Sequence, residues 1–140
     1  MHLQLITLHG VRVDQEIYEL IAPTSTGEIA IFPGHEPLVT LAVPGALAVR
    51  HKKEDRDESL EYFAISGGVL EIAQKSIRVL VDEADHGEDI IEAESRAALE
   101  RAIKQRDESE DQVEIDKAME LIDRHQVRLR VADLQRRKRR

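Results

Sequence analysis

Few residues of this chain have the types that carry chemistry: six histidines, one serine–glycine–glycine step and a run of arginines at the end. His2, His9, His35, His51, His86 and His125 stand at no i, i+4 spacing from one another and beside no carboxylate in a ligand pattern. They read as scattered surface residues, and no metal site is expected. Cysteine is absent, which excludes disulfides, thiolate metal centres and a cysteine nucleophile and fits a reducing compartment. Ser66-Gly67-Gly68 lacks the further glycine and the lysine of a nucleotide-binding loop and is flanked by strands on both sides. Gly67 and Gly68 are therefore read as structural, marking a bulge or a close backbone approach in preference to a phosphate-binding loop. No G-x-S-x-G elbow or Ser/His/Asp set is present, so the body carries no catalytic residue in this reading.

One histidine sits in a constrained setting. In "GEIAIFPGHEPLVT", residues 27–40, Pro33 and Pro37 pre-set the backbone and Gly34 permits a turn. No acid–base partner accompanies His35. The stretch reads as a stiff corner which, with Gly27-Glu28, presents an edge to a protein partner.

The arginines belong to a charge asymmetry. The chain has a net charge of −8, but residues 1–86 carry −7, residues 87–123 carry −8 and residues 124–140 carry +7. An acidic body with a basic end suits an acidic protein partner, a nucleic acid or self-association. The tail "RLRVADLQRRKRR" has the cations to neutralise phosphates. However, acidic helices precede it, and aromatics make up only 3% of the chain, leaving no platforms for base stacking. Arg124, Arg128 and Arg130 keep helical spacing, with Arg136 to Arg140 as the continuation. An acidic protein surface is the better partner.

These residues need elements to position them, and two kinds are legible. Up to about residue 84 the sequence breaks into short segments rich in Val, Ile and Leu: "LQLITL", "EIYELIA", "EIAIF", "LVTLAV", "ALAVRHK", "LEYFAIS", "VLEIA" and "IRVLVDEA". Turn signals separate them every 8–12 residues or so, which argues for an antiparallel β-sandwich or barrel. The run "KKEDRDES" at residues 52–59 is an exposed hairpin loop.

After Gly87, glycine and proline vanish. Asp89 with Glu92, and Ser109 with Gln112, are spaced as capping boxes opening two helices. Ile91, Ala98, Leu99, Ala102 and Ile103 share one helical face. Ile115, Ala118, Ile122, Leu129 and Ala132 share another, widened by Val127, Val131 and Leu134. The expected organisation is a β-sandwich over residues 1–86, then an antiparallel two-helix hairpin with a basic tail over residues 87–140. The thin, Ala-rich seam predicts a hairpin that leans on the sandwich or on a partner. The N-terminus has no signal-peptide pattern, and no apolar run reaches the length of a membrane span. A soluble protein is expected, able to sit on a membrane complex.

Taken in order and spacing, "GEIAIFPGHEPLVT", Pro44-Gly45-Ala46-Leu47, "ISGGVLEI" and "VLVDEADHGEDI" resemble the ε subunit of F-type ATP synthases, as does the closing phrase "RLRVADL". The resemblance implies a non-catalytic rotor subunit without cofactor, peripheral on the cytoplasmic face of the membrane. It implies a sandwich docked on the γ subunit and the c-ring, with Glu28, Pro33, Gly34, His35 and Pro37 as contacts. It also implies a hairpin that lies against the sandwich or extends along γ, and that when extended meets acidic segments of the catalytic β subunits and inhibits hydrolysis, through Arg124, Arg128, Arg130, Arg136 and Arg137. Some members bind ATP through an I/L-D-x-x-R-A motif. Here a gap-free alignment puts Ile91 at the aspartate and Glu94 at the arginine position, so phosphates would meet a carboxylate. Glu92 and Arg96 could replace them one turn away, yet ATP binding is not expected. The alternatives are a nucleotide-sensing module or a nucleic-acid binder using the basic tail.

Overall fold

The computed structural model describes residues 1–138. Arg139 and Arg140, part of the predicted basic tail, lie outside them. The strands are β1 (His2–Thr7), β2 (Gly10–Glu16), β3 (Glu19–Thr24), β4 (Gly27–Ile31), β5 (Leu38–Ala42), β6 (Gly45–Arg50), β7 (Glu61–Ile65), β8 (Gly68–Ile72), β9 (Ser76–Val81) and β10 (Ala84–His86). Two helices follow, α1 (Glu92–Glu108) and α2 (Gln112–Lys138).

The strands form two layers. One runs β10-β7-β6-β3, with β4 on the far side of β3; the other runs β5-β8-β9-β1-β2. They join at a corner where Thr24 of β3 pairs with Ala42 of β5. Alternation decides what lies between them: Leu3 and Leu5 of β1, Leu70 and Ile72 of β8, and Ile77, Val79 and Val81 of β9 point inward. Leu20, Ile31, Leu47, Val49, Phe63 and Ile65 meet them from the first layer. Each fully buried side chain of this size contributes about 1.5–3 kcal/mol.

The antiparallel expectation holds except at one pair. β1 runs parallel to β9, matching Leu3 to Ile77 and Leu5 to Val79. Short turns dictate antiparallel pairing only between strands consecutive in sequence, and these two are not.

The structure chooses between the two readings of the glycine pair and corrects the two helix caps. Gly68 is no bulge. It pairs in register with Ala42 on one side and Val81 on the other, and an added Cβ would lie 2.0 Å from the Leu80 carbonyl oxygen. The paired glycines serve close backbone approach. Asp89 does not cap α1, because a 3₁₀ turn occupies Gly87–Asp89 and Ile91 takes the N-cap position without a side-chain bond. Ile91 is thereby off the helix and 55% exposed, while Ile90 turns inward. Asp111, not Ser109, caps α2. Its Oδ1 accepts from the Val113 N–H at 3.1 Å, whereas Ser109 Oγ accepts from the Asp111 N–H at 3.2 Å.

Candidate docking faces

The sandwich has two outer faces, and they differ. On the β6–β7 side, α2 covers the sheet, and Ala64 packs with Ile90, Val131 and Ala132, flanked by Ala46, Tyr62 and Val127. That apolar cluster is small, and polar contacts surround it. Arg124 pairs with Glu83 at 2.8 Å. Arg128 pairs with Asp85 on β10 and donates from Nε to Ser95 Oγ at 3.3 Å, tying β10, α1 and α2 together. Gln135, buried in α2, accepts from the Tyr62 N–H at 3.4 Å. Arg136 reaches Glu92 on α1 at 3.0 Å, and Arg137 pairs with Asp133 within α2. Arg130 is exposed and lines a shallow depression with Glu28, Pro44 and Val127.

With the hairpin against the sandwich, Arg124, Arg128 and Arg136 are thus engaged within the chain. Sequence periodicity missed Ser95 and Gln135, because polar residues on a helix carry no apolar signal.

Arg101, Arg124, His125 and Arg128 converge on a groove between the helices, together with Glu94. Burial, then Arg124, Arg128 and Arg101, hold His125 below the usual imidazole range. Arg96 lies 3.9 Å from Glu92, a carboxylate that Arg136 already engages. The two residues one turn away that could replace the motif's carboxylate and cation thus face each other. No group of three or more His, Asp or Glu side chains is placed to hold a metal ion among the described residues.

The opposite face is bare. Register links Leu41 of β5 to Val69 of β8, Val69 to Leu80 of β9, Leu80 to Ile6 of β1, and Ile6 to Val11 of β2. One apolar row therefore crosses the whole outer surface of the second layer. Val39, Leu41, Val11 and nearby Leu8 are 56–77% exposed. The next row is polar: Val39 pairs with Glu71, Glu71 with Arg78, and Arg78 with Gln4.

The predicted corner and Glu28 do not sit together. Glu28 is the second residue of β4, beside the Thr24–Gly27 turn, where Gly27 and, beyond the other end, Gly34 take positive φ of 118° and 89°. Pro33 to Pro37 follow the far end of β4, with the Gly34 N–H donating to Gln74 O and His35 Nδ1 2.7 Å from Glu36 O. β4 is five residues long, so about 14 Å separates its two ends. Glu28, Pro33, Gly34 and Pro37 are exposed, and His35 is half-buried.

A family model described as the ATP synthase delta/epsilon chain β-sandwich domain matches residues 1–87. An ATP synthase epsilon chain of Herpetosiphon aurantiacus is 33% identical over 139 residues, covering 97% of this chain and 96% of that one. The chain belongs to the ATP synthase epsilon family. The epsilon chain of Staphylococcus saprophyticus is similarly related, 31% identical over 136 residues, with 96% and 98% covered. Among solved structures, a chain of the Euglena gracilis mitochondrial ATP synthase shares the fold at a TM-score of 0.77 and 23% identity, over 89% of this chain and 76% of that one. A chain of the Tetrahymena thermophila central stalk and c-ring assembly does so at 0.60 and 14%, over 94% and 96%. No helix of this epsilon chain, among the described residues, is long and apolar enough to cross a membrane.

Proposed function

We propose that this epsilon chain is a non-catalytic rotor subunit of the central stalk, docked on the γ subunit and the c-ring of a membrane-bound ATP synthase, on its cytoplasmic face. The observation that carries the reading is the apolar row from Leu41 to Val11 on the uncovered face. Contiguous exposed apolar surface marks a protein interface, and γ is the partner that the family supplies. Glu28 and the Pro33–Pro37 corner, at opposite ends of β4, would then serve two contacts rather than one. A carboxylate at a loop suits the polar c-ring loops, while the rigid corner fixes orientation. The hairpin is the proposed brake on hydrolysis. Its arginines, released from Glu83 and Asp85, would meet acidic segments of the catalytic β subunits.

Co-purification with γ tests the docking. Charge placed in the row by Leu41→Glu with Val69→Glu should weaken capture of γ by about thirtyfold or more, the effect of losing interface anchors. Leu41 is exposed and Val69 half-buried, so circular dichroism checks that the variant keeps the fold. Capture at wild-type strength would end the assignment of this face. Removal of residues 87–140 leaves the main core, which draws only on residues up to Ala84, and should raise the ATPase activity of the reconstituted complex. Unchanged activity would remove the brake and leave the coupling role.

A further inference from the structure

The histidines scattered in sequence are not all scattered in space. His51, just beyond β6, and His86, the last residue of β10, each place Nε2 at 3.6 Å from one oxygen of Glu61 on β7. His86 also stands at the junction between sandwich and hairpin. Its Nδ1 accepts from the Glu88 N–H at 3.0 Å, capping the 3₁₀ turn Gly87–Asp89 that leads into α1. The ring edge packs against Phe63, centroids 5.1 Å apart. The turn itself is packed tightly under α2, since a Cβ on Gly87 would lie 2.9 Å from Gln135 Cβ.

We propose that His86 is a proton-sensitive hinge that couples acidification to loosening of the hairpin from the sandwich. Accepting from a backbone N–H requires a bare Nδ1, so the capping ring is neutral with its proton on Nε2. That tautomer also disfavours a metal here, because Nε2 would have to be bare to bind one. Imidazole is the side chain that changes charge between about pH 5 and 8. On protonation, Nδ1 becomes a donor facing an N–H and can no longer cap. At the same time Nε2–H gains a charge-assisted bond to Glu61.

Asp14 and Arg12 of β2, His51, Glu61, Asp85 and Asp89 line the same cleft, with acids outnumbering bases. From α2, Arg128 is spent on Asp85 and Arg136 on Glu92. The proton therefore moves the ring's allegiance from the hinge to the sheet edge. The hinge turn, wedged between β10 and Gln135, is the part that loosens.

The inference rests on the hairpin as an element with a docked and an undocked position. The full chain contains no cysteine, so K53C and K104C, both at exposed positions, can carry a fluorescent pair reporting the distance from sandwich to hairpin. Between roughly pH 8 and pH 5.5 the docked-to-undocked ratio should fall about fivefold, the size of a lost N-cap. His86→Asn keeps a neutral cap acceptor at every pH and should abolish the response while staying docked. His51→Gln should retain the response, since His51 caps nothing. A pH response undiminished in His86→Asn, or an equal ratio at both pH values with undocking still inducible by salt, overturns the hinge alone. A hairpin that undocks under neither acid nor salt overturns the hinge and the two-position reading together.

Discussion

The two outer faces of the sandwich are built from the same alternating strands, yet one is covered and the other is not. The β6–β7 face offers Ala46, Tyr62 and Ala64, small or polar-tipped side chains, and α2 meets it with Val127, Val131 and Ala132. So little apolar area leaves the joint dependent on Arg124–Glu83, Arg128–Asp85 and the Gln135 bond. The face of β5-β8-β9-β1-β2 offers larger side chains, from Leu41 to Val11, and no helix among the described residues lies over them. An ionic joint over a thin seam can open and close at modest cost. A continuous apolar row suits lasting attachment to a partner. Under the proposed function the bare face is the permanent contact and the face beneath α2 the reversible one.

The largest expected effect strikes the layer behind the permanent face. Gly68→Ala would force a Cβ to within 2.0 Å of a backbone oxygen of β9 and should destabilise the sandwich by about 3 kcal/mol or more. Urea unfolding followed by circular dichroism reads this. Gly87→Ala is the contrast: its Cβ meets the Gln135 side chain at 2.9 Å, so it should displace α2 while leaving the sandwich intact. Equal effects of the two would erase the distinction between permanent and reversible faces.

Next in size, Arg128→Ala removes the bond shared by β10, α1 and α2 and should weaken hairpin docking by about 1–2 kcal/mol. Rising salt should lower docking further by screening Arg124–Glu83, which hydrogen exchange at the Tyr62 amide can follow. Docking indifferent to both changes would mean that the apolar cluster alone holds the hairpin.

The smallest effect lies at the β1–β2 edge of the open face. The Asp14 carboxylate, then Glu16, hold the His2 imidazole above its usual range against an opposing desolvation. A raised native pKa contributes stability below the unfolded value, and that contribution is lost as pH rises through the native one. His2→Gln should thus lower the melting temperature slightly in mild acid and leave it unchanged at alkaline pH. A shift of the opposite sign would refute the pairing.

Periodicity made the two parts of the chain legible: strand alternation up to Val81, then helical spacing after Glu92. It failed where two residues of like chemistry competed, as Ser109 and Asp111 did for the α2 cap. It also failed where proximity in sequence suggested proximity in space, as with Glu28 and His35 across β4. The arginines at 124 and 128 were legible as a charged face, but not their partners. Asp85 and Arg128 are 43 positions apart, and nothing local couples them.

The sequence by itself determined which apolar side chains share a face of most strands and helices, because a period of 2 or 3.6 is a property of neighbouring residues. Only the tertiary structure decided which outward residues share a row, which acid each arginine meets, and that two distant histidines share Glu61. Strand register and helix docking are set by packing between segments remote in the chain, and no local period encodes that.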